Sequence, residues 1–299
     1  MLSFLKLIKT TKKMDGKNDN IVEEGQMSKI EEGVATTPAA ADVPETKNKN
    51  NNGGCSSSTS TPCIAQKLFA EIIGTYFVIF AGCGSVAVNK IYGSVTFPGV
   101  CVTWGLIVMV MIYTLGHISG AHFNPAVTIA LAIFNRFPRN QVPVYIVSQA
   151  LGSYLASLTI CWIVDVTPKA YFGTVPVGSN GQSLIAEIII SFLLMFVISG
   201  VVTDNRAIGE LAGIAVGMTI MLNVFVAGPI SGASMNPARS IGPAMVKHVY
   251  KGIWVYMVGP IIGTIAGGFA YKLISCKYKQ PQFAQLNKTT TTSFLKSNS

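Results

Sequence analysis

The sequence predicts an all-α polytopic membrane protein with six transmembrane helices and two re-entrant half-helices, arranged as an inverted repeat. Three observations carry that reading. Six apolar stretches approach bilayer length, two half-length apolar runs each open on Asn-Pro-Ala, and a repeated nonapeptide relates the two halves of the chain.

The distribution of charge agrees. Only 12% of the 299 residues are charged, against roughly 25% in a soluble domain. Residues 1–66 hold eight Lys and eight acids and are neutral. Residues 67–299 hold fourteen Lys or Arg and five acids, so the net +9 lies in the apolar part and its tail. These basic residues punctuate apolar runs, as the loops of a membrane protein do. They do not form the patches of a nucleic-acid binder, and no nucleic-acid partner is expected. The cysteines at 55, 63, 83, 101, 161 and 276 have neither metal spacing nor the pattern of a disulfide framework, so no metal and no cofactor is expected. The apolar patch Met1 to Ile8 is too short for a signal peptide.

Residues 1–66 read as a disordered cytoplasmic tail, rich in Lys, Glu, Asn, Thr and Ser without apolar periodicity. A short surface-lying amphipathic helix over Met1–Lys13 is the alternative. A channel-like domain follows over 67–275, with a first half at 67–164 and a second at 183–275. Its spans fall at about 68–89, 98–116, 142–164, 183–202, 207–228 and 252–275, each near the roughly 20 residues a bilayer demands. Glycines within them let helices approach closely. A polar cytoplasmic tail occupies 276–299.

The two short runs, 125–134 and 237–246, are about half a span each. Pro125 and Pro237 suit the first helical position, where a missing N–H costs nothing. Asn124 and Asn236 suit the cap before it, and Ala126 and Ala238 complete the two triplets. Orientation follows from basic residues after the first half-helix (Arg136, Arg139), between spans four and five (Arg206) and after the last span (Lys272, Lys277, Lys279). They place both termini in the cytoplasm, with Lys247 and Lys251 on the opposing count.

Self-similarity is the strongest signal. Ser119–Val127 (SGAHFNPAV) matches Ser231–Arg239 (SGASMNPAR) at six of nine positions, 112 residues apart, and Ala70–Ile73 matches Ala186–Ile189 at a spacing of 116. An odd number of spans per half forces the halves into opposite topology about an axis in the membrane plane. The two half-helices then enter from opposite sides and meet by their amino ends. Those ends carry partial positive charge, and the Asn124 and Asn236 amides offer N–H donors to a passing oxygen. Water held this way cannot relay a proton onward, and the same field opposes cations. Simple capping is the plainer role for both Asn side chains, and the two roles are compatible because the oxygen caps while the nitrogen donates.

With these motifs in place, the chain resembles the major intrinsic proteins, the aquaporins and aquaglyceroporins, over about 67–275. Residues 116–127 (GHISGAHFNPAV) and 228–240 (GPISGASMNPARS) are most similar to plant nodulin-26-like intrinsic proteins. The resemblance implies the aquaporin hourglass fold and a homotetramer with one pore per subunit. It also implies a plant plasma membrane or endomembrane, and passive passage of water and small neutral solutes through the bilayer. Counting from the two motifs, it implies a four-residue filter of Trp104, Val224, Ala233 and Arg239. Arg239 supplies fixed donors and repels cations. Trp104 offers an apolar face and one indole N–H, although a Trp in a span more often anchors or packs. Val224 replaces a His common in water-selective members, and Ala233 leaves room. Such an opening suits glycerol, with ammonia and arsenite-type metalloid acids as further cargo.

Glu71 and Glu187 occupy matching places in the first span of each half. Intramembrane acids suggest proton coupling, whereas their symmetry, and the resemblance, imply structural acceptors for the re-entrant loops. His122 is expected to pack the loop beside the mouth, His117 has no assigned role, and His248 is expected on the surface. Ser293, in Ser293-Phe294-Leu295-Lys296, resembles the tail site that calcium-dependent kinases phosphorylate in nodulin-26-type members, with basic neighbours to favour such a kinase. The competing reading is an ion- or proton-coupled secondary transporter, which also uses inverted repeats and broken helices. An enzyme is not expected, because the spans offer no nucleophile with its base.

Overall fold

The computed structural model describes residues 61–204 and 207–275. Eight α-helices occupy them: α1 (Ile64–Tyr92), α2 (Thr96–Ser119), the short α3 (Pro125–Ile133), α4 (Val142–Ile163), α5 (Asn180–Val201), α6 (Ala212–Ser231), the short α7 (Pro237–Lys247) and α8 (Ile253–Ile274). The N-terminal tail to residue 60, Arg206, and the C-terminal tail with Ser293 lie outside the described residues.

Six of these helices are long and apolar enough to cross a membrane, and they coincide with the six expected spans. The ends differ where capping governs them. α1 begins at Ile64 rather than near 68, because the Gln66 side chain turns back to accept the Cys63 N–H at 2.8 Å. With 29 residues it is roughly 43 Å long, more than the bilayer's apolar thickness, so it must tilt or protrude. Between α4 and its preceding loop, a single 3-10 turn at Arg139–Gln141 leads into the span.

The outer surface of the bundle is apolar. Val147, Trp162 and Val226 are 67%, 88% and 70% exposed. In water such a surface would drive association; here it is the face a lipid solvates. The polar groups are inside instead, among them Glu71, Gln149 and Glu187, each fully buried. The chain is a multi-pass integral membrane protein.

Packing obeys the repeat. α1 packs on α4 as α5 packs on α8, and α1 on α2 as α5 on α6. The half-helices exchange partners: α3 lies against α8, and α7 against α4. Two contacts lie on the pseudo-twofold axis itself, α2 with α6 and α3 with α7. At the first, Gly105 and Gly217 face each other so closely that a Cβ on Gly217 would lie 2.6 Å from the Gly105 carbonyl oxygen, and one on Gly105 2.7 Å from that of Gly217. Only glycine permits that approach.

α2 and α6 both end on a left-handed glycine, Gly120 (φ 91) and Gly232 (φ 82). Each sends its N–H back to the carbonyl four residues earlier, at 3.0 Å, and turns the chain inward toward a half-helix. α3 and α7 have 9 and 11 residues. Laid end to end, those 20 residues amount to roughly 30 Å, the length of one span.

Candidate functional site

The loops leading into α3 and α7 run through the interior without secondary structure, so each of their N–H groups needs a partner. One carboxylate per half accepts two of them, and serine hydroxyls accept those of Ala121, Ala233 and Asn236. Glu71 accepts the N–H groups of His122 (3.0 Å) and Phe123 (2.8 Å) and the Ser119 hydroxyl (2.7 Å). Glu187 accepts those of Ser234 (2.8 Å) and Met235 (2.8 Å) and the Ser231 hydroxyl (2.6 Å). The ends of the preceding helices are tied in the same manner, Tyr145 donating to the Ser119 carbonyl at 2.9 Å and Tyr256 to that of Ser231 at 2.7 Å.

This scaffold holds a backbone that L-residues resist. Ala121 (φ 51), Phe123 (φ 49), Ala233 (φ 46) and Met235 (φ 55) are all left-handed. Each such residue costs about 1–3 kcal/mol, and the carboxylate bonds offset it. The result is a stretch of chain in each half with two consecutive N–H groups turned to a glutamate.

Asn124 and Asn236 cap the half-helices. Their Oδ1 atoms accept the N–H of Ala126 and of Ala238, each at 2.9 Å, with Pro125 and Pro237 at the first helical position. Their Nδ2 atoms cross the pseudo-axis: Asn124 donates to the Met235 carbonyl and Asn236 to the Phe123 carbonyl, both at 2.8 Å. Each amide nitrogen carries two hydrogens, so one is consumed in locking the tips together and one is left for another acceptor.

A cavity of about 290 Å³ runs past this junction, and both Asn residues line it. So do Trp104, Val224, Ala233 and Arg239. The Arg239 guanidinium carbon stands 5.1 Å from the centre of the Trp104 ring, within cation–π range. Its Nη2 donates to the Gly232 carbonyl at 3.4 Å, while Nε and Nη1 are buried with no partner. Gly82 makes room for the indole, since a Cβ there would fall 2.5 Å from the ring. Apolar side chains such as Val108, Leu194 and Ile220 line the rest. Ser234 and His122 also line it, and the two amides and the guanidinium bring donors to this mostly apolar wall.

The His122 ring packs against Phe137 (4.7 Å) and Tyr145 (5.3 Å), with Nδ1 3.1 Å from the Thr128 hydroxyl. His117 and His248 are exposed. Sequence reasoning missed the third span of each half as a source of site residues. There Ser153 donates to the Ala238 carbonyl at 2.6 Å, and the Thr264 hydroxyl, 2.8 Å from the Pro260 carbonyl of its own helix, stands 3.3 Å from the Ala126 carbonyl, each reaching the half-helix of the other half. A signal existed: Val144-Tyr145 and Gly152 recur as Val255-Tyr256 and Gly263, 111 residues on.

Known proteins resemble this chain closely. The family profile described as Major intrinsic protein matches residues 58–271. A protein of Nicotiana alata named "Probable aquaporin NIP-type" is 72% identical over 84% of this chain and 90% of its own length. Nodulin-26 of Glycine max is 51% identical over 84% of this chain and 92% of its own. Among solved structures, the aquaglyceroporin from Plasmodium falciparum aligns with a TM-score of 0.65 at 25% identity, covering 72% of this chain and 98% of that one.

Because Glu187 receives only donors, Glu187→Gln sets an amide N–H₂ against a backbone N–H. A hydrogen bond to a charged group contributes about 1.5–3 kcal/mol. The variant is expected to lose folded protein on heating well below the wild-type midpoint, as read by size-exclusion chromatography of heated detergent extracts. Coincident melting curves would contradict the scaffold role.

Proposed function

The chain belongs to the major intrinsic protein family, and from that premise we propose that it is a passive pore for water and small uncharged solutes, with glycerol among them and ammonia and arsenite-type metalloid acids as further cargo. The family is one of passive channels, not of enzymes. What supports the substrate range is one observation: a passage lined mostly by apolar side chains carries two Asn amides and a guanidinium with two unpartnered nitrogens, Nε and Nη1.

On this reading a solute meets Arg239 and Trp104 first. A hydroxyl oxygen accepts from Nε or Nη1 of Arg239 while carbon atoms slide along the Trp104 face. Val224 and Ala233 add no donor and little bulk. At the tips, the spare hydrogens of Asn124 and Asn236 turn each water's oxygen toward the junction, and the two helix amino ends repel cations there. Neutral, hydrogen-bonding cargo is therefore favoured over ions.

The coupled-transporter alternative needs an acid free to exchange protons in the passage. Glu71 and Glu187 are each fully buried and bonded to the loops, which favours the structural role. The same proposal extends to a homotetramer and to both termini in the cytoplasm of a plant plasma membrane or endomembrane. It includes a calcium-dependent kinase acting on Ser293. Label from such a kinase entering a wild-type tail peptide but not its Ser293→Ala form is the expected result, and an unlabelled wild-type peptide removes that part.

Proteoliposome swelling tests the substrate range. The wild type is expected to speed both water and glycerol entry, and Trp104→Ala to raise glycerol entry severalfold relative to water. Water flux without glycerol flux in the wild type would refute the wider filter.

A further inference from the structure

The pseudo-twofold that governs the scaffold fails at buried Gln149, and the failure assigns a role to a loop that has no counterpart in the repeat. In the first half, the hydroxyl of Thr128, in the first turn of α3, receives the Gln149 amide of α4 at 3.0 Å and lies 3.1 Å from His122 Nδ1. The counterparts of Thr128 and His122 are Ser240 and Ser234, which meet at 2.7 Å. The counterpart of Gln149 in α8, counted from Tyr145 and Tyr256, is Pro260. Proline has no side-chain donor.

The missing donor comes from elsewhere. Thr174, in the connection between α4 and α5, donates to Ser240 Oγ at 2.7 Å. It is 2% exposed, and Ser240 is fully buried. A chain of hydroxyls therefore leads from the connecting loop to the half-helix tip: Thr174 to Ser240, Ser240 with Ser234, and Ser234 to the Asn236 carbonyl at 2.8 Å. Thr174 also backs the wall of the passage. A Cβ built on Gly232 would lie 3.2 Å from Thr174 Cγ2, and the Gly232 carbonyl is the acceptor of Arg239 Nη2.

The loop is itself pinned. Lys90 donates to the Tyr171 carbonyl at 2.6 Å, Val177 donates to the Ile230 carbonyl at 3.2 Å, and Phe172 is fully buried. So the first-turn hydroxyl of α3 takes its donor from a span, whereas that of α7, next to Arg239, takes its donor from a connecting loop. We infer that Thr174 is a positioning residue for solute selection, fixing Gly232 and, through Ser240 and Ser234, the tip of α7, with Lys90 holding the loop in register.

The inference rests on the glycerol-permeable reading above, so wild-type glycerol flux is measured first. Its absence refutes that reading, and the comparison below then uses urea as the larger solute. Thr174→Val keeps the side-chain shape and removes the donor. The read-out is the ratio of larger-solute to water permeability in the same vesicles, which is independent of the amount of protein inserted. Loss of one hydrogen bond predicts a rise of about twofold to tenfold in that ratio for Thr174→Val, with Thr174→Ser restoring the wild-type value. A merely structural role would lower both fluxes together and leave the ratio unchanged. An unchanged or lowered ratio for Thr174→Val, or a Thr174→Ser ratio equal to that of Thr174→Val, overturns the inference. Should Thr174→Val fail to insert, Lys90→Met at the surface gives the same read-out. Its ratio rises if the inference holds and stays at the wild-type value if it does not.

Discussion

A pore through a bilayer needs unpaired hydrogen-bonding groups where unpaired groups are most costly. The structure meets that demand with two buried carboxylates. Glu71 and Glu187 gather the N–H groups of the two re-entrant loops, which frees those loops from helical pairing and holds four left-handed non-glycine residues in place. Without them the loops have no reason to stay extended, the half-helices no reason to start where they do, and the Asn tips no reason to meet.

Everything else follows the pseudo-twofold. Asn124 and Asn236 exchange hydrogen bonds from their side-chain amides across it, Ser153 donates to the opposite half-helix and Thr264 approaches it, and Gly105 and Gly217 let α2 and α6 touch on the axis. Symmetry provides the scaffold, and the wall of the passage departs from it. Trp104 corresponds to Val216, and Arg239 to Val127, by the 112-residue offset. The guanidinium and the indole are thus both placed at one end of the passage. Gln149 against Pro260 is a third departure, and it hands one wall to a loop.

The sequence made the six spans legible because length and apolarity are the dominant constraints on crossing a bilayer. The half-helices were legible because Asn-Pro-Ala is a cap followed by an N1 proline, a local signal that needs no tertiary knowledge. Trp104, Val224, Ala233 and Arg239 were reached by counting from the motifs along the family's pattern, and all four line one cavity. Thr174 was not legible. It stands in a connection outside the repeat, and its importance arises only from what Pro260 cannot donate. The start of α1 was set by a Gln66 cap that apolar length alone does not report.

The central claim is that the two Asn tips orient water while the helix ends bar protons and cations. It is tested most directly by following osmotic shrinkage and internal pH together in proteoliposomes carrying a proton gradient. The account predicts shrinkage accelerated in proportion to protein, with a pH trace that superimposes on that of protein-free vesicles. A proton leak that grows with the water flux would contradict it.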